Sequence, residues 1–228
     1  GTTYNAGSAY VFVRPGGDWT GDLTQAAKLT ASDKATSDWF GWSVAISGDV
    51  IVVGAYQADP GGIANAGAAY VFVKPAGGWT GNLTQSAKLT ASDKAAGDLF
   101  GFSVAVSGDL VVVGAPCADP GGMTDAGAAY VFVKPAGSWT GNLTESARLI
   151  ASGKAAGDLF GSSVAISGDL VVVGAFGADP GGVADVGAAY VFVKPAGGWT
   201  GDRVHCRIMD KLGHAALARR CQALSRLL

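Results

Sequence analysis

The stretch "FGFSVAVSGDLVVVGAP", residues 100–116, returns as "FGWSVAISGDVIVVGA" at 40–55 and as "FGSSVAISGDLVVVGA" at 160–175. Within it, Ser103, Ala105 and Ser107 alternate with Val104 and Val106, the period of two that marks a strand. Ser107-Gly108-Asp109 predicts a tight hairpin, because a two-residue Gly-Asp connection suits a II′ turn whose twist matches its flanking strands. The return strand, Leu110 to Val113, is apolar on both faces, as a strand held between two layers must be. Gly114 ends it.

Outward from this core the repetition continues. "AGAAYVFVKPAGGWTG" at 66–81 recurs at 126–141 and 186–201 with one change each, and "AGSAYVFVRPGGDWTG" stands at 6–21. "LTQSAKLTASDKAAGDLFG" at 83–101 has counterparts at 23–41 and 143–161, so the period is sixty residues without insertion. The third strand, Ala128 to Lys134, sets Tyr130 and Phe132 on one face and Val131 and Val133 on the other. The fourth, Thr144 to Ala151, is the most polar and is expected at the outer edge. A four-stranded antiparallel sheet with two apolar faces cannot satisfy itself; it must stack on copies of itself, and radial stacking of that kind is a β-propeller. The fold class is therefore all-β, a propeller-type repeat of four-stranded antiparallel blades. Units at 1–39 (partial), 40–99, 100–159 and 160–201 (partial) give about three and a half copies, or thirteen strands. Propellers close with about 4–8 blades, so the expectation is an incomplete or open propeller. Blade faces exposed at its ends would invite self-association.

Composition agrees. The 228 residues include 36 glycines, and 49% are hydrophobic while only 15% are charged, which suits many short strands and tight turns. The formal charge of −2 conceals an asymmetry: residues 1–200 carry ten Lys/Arg against sixteen Asp/Glu, and 202–228 carry six against two. An acidic repeat body argues against nucleic acid as a partner. The three cysteines, Cys117, Cys206 and Cys221, form no regular framework. No apolar run approaches the roughly 20 residues of a membrane-spanning helix. The chain opens "GTTYNAG" without Met, as a segment of something longer would.

Phe100-Gly101 followed by Gly114-Ala115-Pro116 resembles the FG-GAP repeat of integrin α-subunit propellers and their bacterial relatives. The same motif is carried by Phe40, Gly41 and Gly54, and by Phe160, Gly161 and Gly174, with Tyr56 and Phe176 in place of the Pro. The resemblance spans residues 1–201. It implies seven four-stranded blades, a secreted or cell-surface location and ligand recognition by loops on one rim. It also implies calcium in an Asp-rich loop between the first two strands of a blade. Here that loop is only Ser-Gly-Asp (47–49, 107–109, 167–169), while calcium takes six to eight oxygen ligands, so no cofactor and no metal are expected. The remaining acidic loop, "ADPGGMTDAG", offers Asp119 and Asp125, repeated as Asp179 and Asp185. In the copy at 58–67 Asn65 stands in the second place, and the loop reads as an Asp-Pro-Gly-Gly turn.

Catalysis finds little to work with. Residues 1–200 contain no His and a single Cys, which removes Ser-His and Cys-His pairs from the repeat body. Carboxylates of the Asp93 and Asp98 type recur from copy to copy, as Asp33 with Asp38 and as Asp158 beside Gly153, unlike the single asymmetric constellation an enzyme needs. The expectation is a non-enzyme. Trp19, Trp79, Trp139 and Trp199 occur once per unit between the third and fourth strands. They could stack on sugar rings or fold back as hydrophobic plugs over their own blades. Trp39 and Trp42, beside the first Phe-Gly, read as core filling. The sequons at Asn82 and Asn142 are by-products of "GNLT".

Beyond 201 the repeat gives way to "DRVHCRIMDKLGHAALARRCQALSRLL". Its apolar positions predict a short basic helix that could touch an anionic membrane surface, and a shifted reading frame would equally explain the switch. The spacing of His205, Cys206, His214 and Cys221 matches no usual zinc pattern. Taken together, the sequence predicts an extracellular, non-catalytic scaffold that binds a protein or glycan through blade-rim loops. A lectin using the loop tryptophans and an accessory module of a secreted hydrolase are the alternatives.

Overall fold

The computed structural model describes residues 4–16, 19–184, 186–205 and 208–209. The first, partial unit holds β1 (Ala9–Val11) and β2 (Ala27–Thr30). The second holds β3 (Ser43–Ser47), β4 (Val50–Ala55), β5 (Ala68–Val73), β6 (Gly81–Thr84) and β7 (Ala87–Leu89). The third repeats it as β8 (Ser103–Ser107), β9 (Leu110–Ala115), β10 (Ala128–Val133), β11 (Gly141–Leu143) and β12 (Ala147–Ala151). The fourth holds β13 (Phe160–Ser167), β14 (Leu170–Ala175), β15 (Ala188–Val193), β16 (Gly201–His205) and β17 (Ile208–Met209). The fold is the all-β, propeller-type stack that the repeated motif predicts.

The hairpins follow the sequence closely. β8 and β9 pair in register from Ser103↔Gly114 to Ser107↔Leu110, which leaves Gly108-Asp109 as a two-residue connection with only Gly108 at positive φ. The Asp of each such turn meets the Lys that follows the third strand, as in Lys134–Asp109 at 2.5 Å and Lys74–Asp49 at 3.2 Å.

The fourth strand departs from expectation. After β10 the chain does not turn straight back; it first crosses to the preceding sheet, where β11 lies parallel to β7 with Gly141 opposite Ala87. β6 joins β2 in the same way, and β16 joins β12. The stretch predicted as one strand is thus two elements. They part at Ser146, whose Oγ accepts the Val133 N–H at the end of β10. Each sheet of the second and third units has five strands, and the outer edge is a parallel strand lent by the following unit. The polar residues of the true fourth strand do not line an edge. Lys88 pairs with Asp33 at 2.5 Å, and Arg148 pairs with both Asp93 and Asp202.

The predicted helical tail is also corrected where it is described, since 202–205 and 208–209 are strand. β16 takes the place of β11 although its sequence has left the repeat, because main-chain hydrogen bonds of a parallel edge are indifferent to side-chain identity. The rest of the tail, with Cys206, His214 and Cys221, lies outside the described residues.

Side chains alternate across a strand, and here the two faces of a sheet differ in bulk. In the second unit Phe40, Ile51, Val53, Tyr70, Phe72 and Trp79 share one buried cluster with Val11, Ala27 and Leu29 of the first unit. The opposite face presents Val52, Ala69, Val71, Ala87 and Leu89, which share a cluster with Phe100, Val111, Val113, Tyr130, Phe132 and Trp139 of the third unit. The third and fourth units repeat this with Val112, Ala129, Val131 and Leu149 against Phe160, Tyr190, Phe192 and Trp199. Each contact therefore lays a bulky aromatic face on a shallow aliphatic one. Burying each Val, Leu or Phe contributes about 1.5–3 kcal/mol, so these three cores dominate stability. Within the bulky face Phe100 meets Tyr130 and Phe132 edge-on, at 5.4 and 6.0 Å between centroids.

The Phe-Gly pair is the stitch. Phe100 N–H donates to Ala66 O of the preceding unit, Gly101 N–H donates to Gly114 O of its own, and Gly101 O accepts from Ser43 Oγ at 2.8 Å. A Cβ on Gly101 would stand 2.3 Å from Ala68 O, and one on Gly54 would stand 2.0 Å from Gly101 O. Ser103 Oγ and Gly114 meet the Gly161 carbonyl identically. At Gly174 the nearest obstacle to a Cβ is Ser163 Oγ, with no carbonyl of a following unit beside it among the described residues. Gly54→Ala and Gly114→Ala should each cost about 1–3 kcal/mol, or roughly 2–4 °C in Tm per kcal/mol for a chain of this size. Gly174→Ala should cost clearly less by thermal melting; equal losses at all three positions would contradict the stitch.

Candidate functional site

The once-per-unit tryptophans divide. Trp79, Trp139 and Trp199 are buried within the three inter-unit cores, and only Trp19, at 57% exposure, faces solvent. The reading of these residues as a row of sugar platforms is thereby corrected: their ring faces are covered by the neighbouring unit. Their polar edges are closed in too, since Trp139 Nε1 and Trp199 Nε1 are buried without a hydrogen-bond acceptor.

The acidic loops are self-capping. Asp119 Oδ1 accepts the Asp125 N–H at 2.8 Å, and Asp59 Oδ1 accepts the Asn65 N–H at 2.7 Å. What the loop requires at its second position is a residue tolerant of left-handed backbone, and Asn65 and Asp125 both have φ near +52. That explains why Asn replaces Asp without altering the turn. Asp179 begins the third such turn, and Asp185 lies outside the described residues. Among the described residues no group of three or more His, Cys, Asp or Glu side chains is placed to hold a metal. The Cys117 thiol, pushed up to about 12 by burial and by the Asp125 carboxylate it hydrogen-bonds, is no nucleophile at neutral pH.

A polar seam runs between fourth strands. Tyr130 donates to Asp93 Oδ1 at 3.0 Å, Arg148 bridges Asp93 and Asp202, and Ser92 Oγ donates to Glu145 Oε1 at 2.6 Å. Beside it a cavity of about 110 Å³, lined by Asp93, Asp98, Asp119, Tyr130 and Arg148, has room for a few waters. Asp98 is buried, and its Oδ2 accepts the Ala95 N–H at 2.6 Å; Asp38 and Asp158 do the same in their own units. Burial raises all three carboxyls above their ordinary value of 3.8, against the opposing pull of that N–H. A carboxyl raised on folding contributes stability that is complete below the unfolded value and is lost as pH climbs through the folded one. Asp98→Asn keeps the acceptor without the charge. Its Tm relative to the parent should therefore rise as pH climbs above the ordinary carboxyl value of 3.8, and a difference independent of pH would contradict this.

The rim holds one feature that the repeat does not copy. Trp39 at the end of the first unit, Trp42 and Tyr56 of the second and Phe102 of the third form a four-ring cluster. Trp39 and Trp42 meet edge-on at 6.4 Å, Trp42 and Tyr56 at 4.9 Å, and Tyr56 and Phe102 edge-on at 5.7 Å. Trp39 is 40% exposed and Trp42 49%, so the reading of these two as core filling is corrected. One unit further on, the same positions hold Leu99, Phe102 and Pro116, and beyond that Leu159, Ser162 and Phe176. Trp39 has φ +57, but Leu99 and Leu159 share that conformation at +59 and +55, so the loop imposes it whatever the side chain. Edge-on ring pairs contribute about 0.5–1.5 kcal/mol beyond area burial. The signal in the sequence was deviation: these positions change between copies while Phe40, Gly41 and Ser43 beside them do not.

The FG-GAP repeat model matches three times, at residues 23–72, 83–132 and 143–192. No curated relative matches. A solved structure of the computationally designed Ika8 protein is similar at 14% identity over 74% of this chain, with a TM-score of 0.25. The match spans 61% of that designed chain.

Proposed function

Because the chain belongs to the FG-GAP repeat family, we propose that it is a non-catalytic, extracellular or surface scaffold that binds a macromolecular protein partner. The repeats are a β-propeller-type scaffold, and such repeats are typical of extracellular and surface proteins. One observation carries the finer reading: a cluster of Trp39, Trp42, Tyr56 and Phe102, its two tryptophans 40% and 49% exposed, set where successive units adjoin. Rigid Trp and Tyr side chains supply large contact area at little entropic cost and carry most of the binding energy at protein interfaces. The repeat body, with ten basic residues against sixteen acidic ones, adds a preference for partners that are apolar and basic.

Displayed random peptides selected on the parent chain test this reading. The enriched peptides should bind the Trp39→Ala, Trp42→Ala double variant at least tenfold more weakly, about 1.4 kcal/mol or more. That variant loses the ring contacts of both tryptophans and should melt several degrees below the parent while still unfolding in one cooperative transition, so binding is compared well below its Tm. Peptides indifferent to the two tryptophans would count against the reading. So would saturable binding of simple sugars that depends on them.

A further inference from the structure

We propose that the rim carrying Trp39, Trp42, Tyr56 and Phe102 takes an arginine-rich segment of a protein partner, with guanidinium groups stacked on the exposed indoles. This rests on the cluster being a binding surface, and adds the chemistry of what it binds. Two kinds of loop build the rim. One joins the second strand of a unit to the third (56–67, 116–127, 176–187), and the other leads into the next unit (31–42, 90–102, 152–159). They lie side by side: Gly97 N–H donates to Ala64 O, Leu99 N–H to Asn65 O and Gly157 N–H to Thr124 O. Tyr56 comes from the first kind, and Trp39, Trp42 and Phe102 from the second.

Charge separates this rim from the opposite one. Each second strand runs from a hairpin turn at one rim to a 56–67-type loop at the other. At the hairpin turns every Asp has its own cation: Asp49 pairs with Lys74, Asp109 with Lys134 and Asp169 with Lys194. The three loops at the far end hold five Asp and no Lys or Arg. Of these, Asp59 and Asp119 are exposed and form no ion pair among the described residues. Their field reaches the aromatic loop, since Asp38, next to Trp39, has its carboxyl raised chiefly by burial and further by Asp33 and Asp59. A rim of this sign draws a basic partner and repels an acidic one. The rings select arginine over lysine. A guanidinium is planar and weakly hydrated, so it stacks on an aromatic face while its edge N–H groups remain free for carboxylates; an ammonium is a strongly hydrated point charge. Trp gives the strongest such contact, and Trp39 and Trp42 are both open to solvent. Among the described residues the chain places no cation of its own over this cluster, whereas Lys28 and Lys88 lie over Tyr10 and Tyr70.

Hexapeptides of arginine, lysine and citrulline with blocked ends serve as probes, titrated into the full chain by calorimetry. Hexa-arginine should bind saturably and at least tenfold more tightly than hexalysine, and hexacitrulline, similar in shape but uncharged, should not bind. The Trp39→Ala, Trp42→Ala variant should bind hexa-arginine at least tenfold more weakly. Asp59→Asn, Asp119→Asn keeps the side-chain acceptors of the Asn65 and Asp125 N–H groups, so both turns are retained. It should weaken binding severalfold and flatten the loss of affinity with added salt. The proposal is overturned if hexalysine binds as tightly as hexa-arginine, if hexacitrulline binds, or if either double variant binds hexa-arginine as the parent does. Displayed peptides that need the two tryptophans but are no richer in arginine than the starting library also overturn it, while leaving the protein-binding surface standing. Peptides that ignore the tryptophans overturn both.

Discussion

Between successive units a face of Phe, Tyr, Phe and Trp lies on a face of Ala, Val, Ala and Leu, and the same fit occurs three times. Bulky side chains interdigitate with shallow ones to interior density, whereas two bulky faces would collide and two shallow ones would leave voids. Unlike faces can only be joined head to tail, so the contact propagates in one direction and never pairs a unit with its mirror. Every unit must then carry both halves of the interface, which is the physical reason for a strict sixty-residue period. The lent parallel strand and the Asp93–Arg148–Asp202 seam follow the same polarity, each unit gripping the one before it.

The Phe-Gly and Gly-Ala segments fix how closely the units approach. With the Gly101 carbonyl 2.0 Å from where a Gly54 side chain would begin, any larger residue would force the sheets apart. Stability and repetition thus take up the strands and the stitch. What is left free is the rim, and there the copies diverge. Trp39, Trp42, Tyr56 and Phe102 are the largest such divergence, and they sit where successive units adjoin, so that a ligand would span more than one. Function placed on a rim of this kind changes without disturbing the core beneath it.

Much of the architecture was legible because it is written in period-two alternation and in glycine. The hairpins, the two-residue Gly-Asp turns and the stacked two-faced sheets could be read directly from residues 100–116. The splitting of the fourth strand could not. Nothing in "GNLTESARLIA" says that its first half pairs backward, since that pairing is made by main-chain groups and steered by Ser146. The tryptophans misled for a related reason. A Trp in a loop looks exposed in sequence, yet Trp79, Trp139 and Trp199 are covered by a neighbour that only the stack supplies. Conversely Trp39 and Trp42 flank a core motif and were read as part of it, when the loop conformation turns them outward.

The polarity of the stack is tested most directly by a pair of double-mutant cycles on Val71. Val71 and Phe132 are far apart in sequence and share one inter-unit core, while Val71 and its chain neighbour Phe72 belong to different cores. The account predicts a coupling energy of about 0.5–3 kcal/mol between Val71→Ala and Phe132→Leu. Between Val71→Ala and Phe72→Leu it predicts additivity to within about 0.5 kcal/mol. Strong coupling between the chain neighbours, with none between Val71 and Phe132, would show that the units are not held together face to face as described.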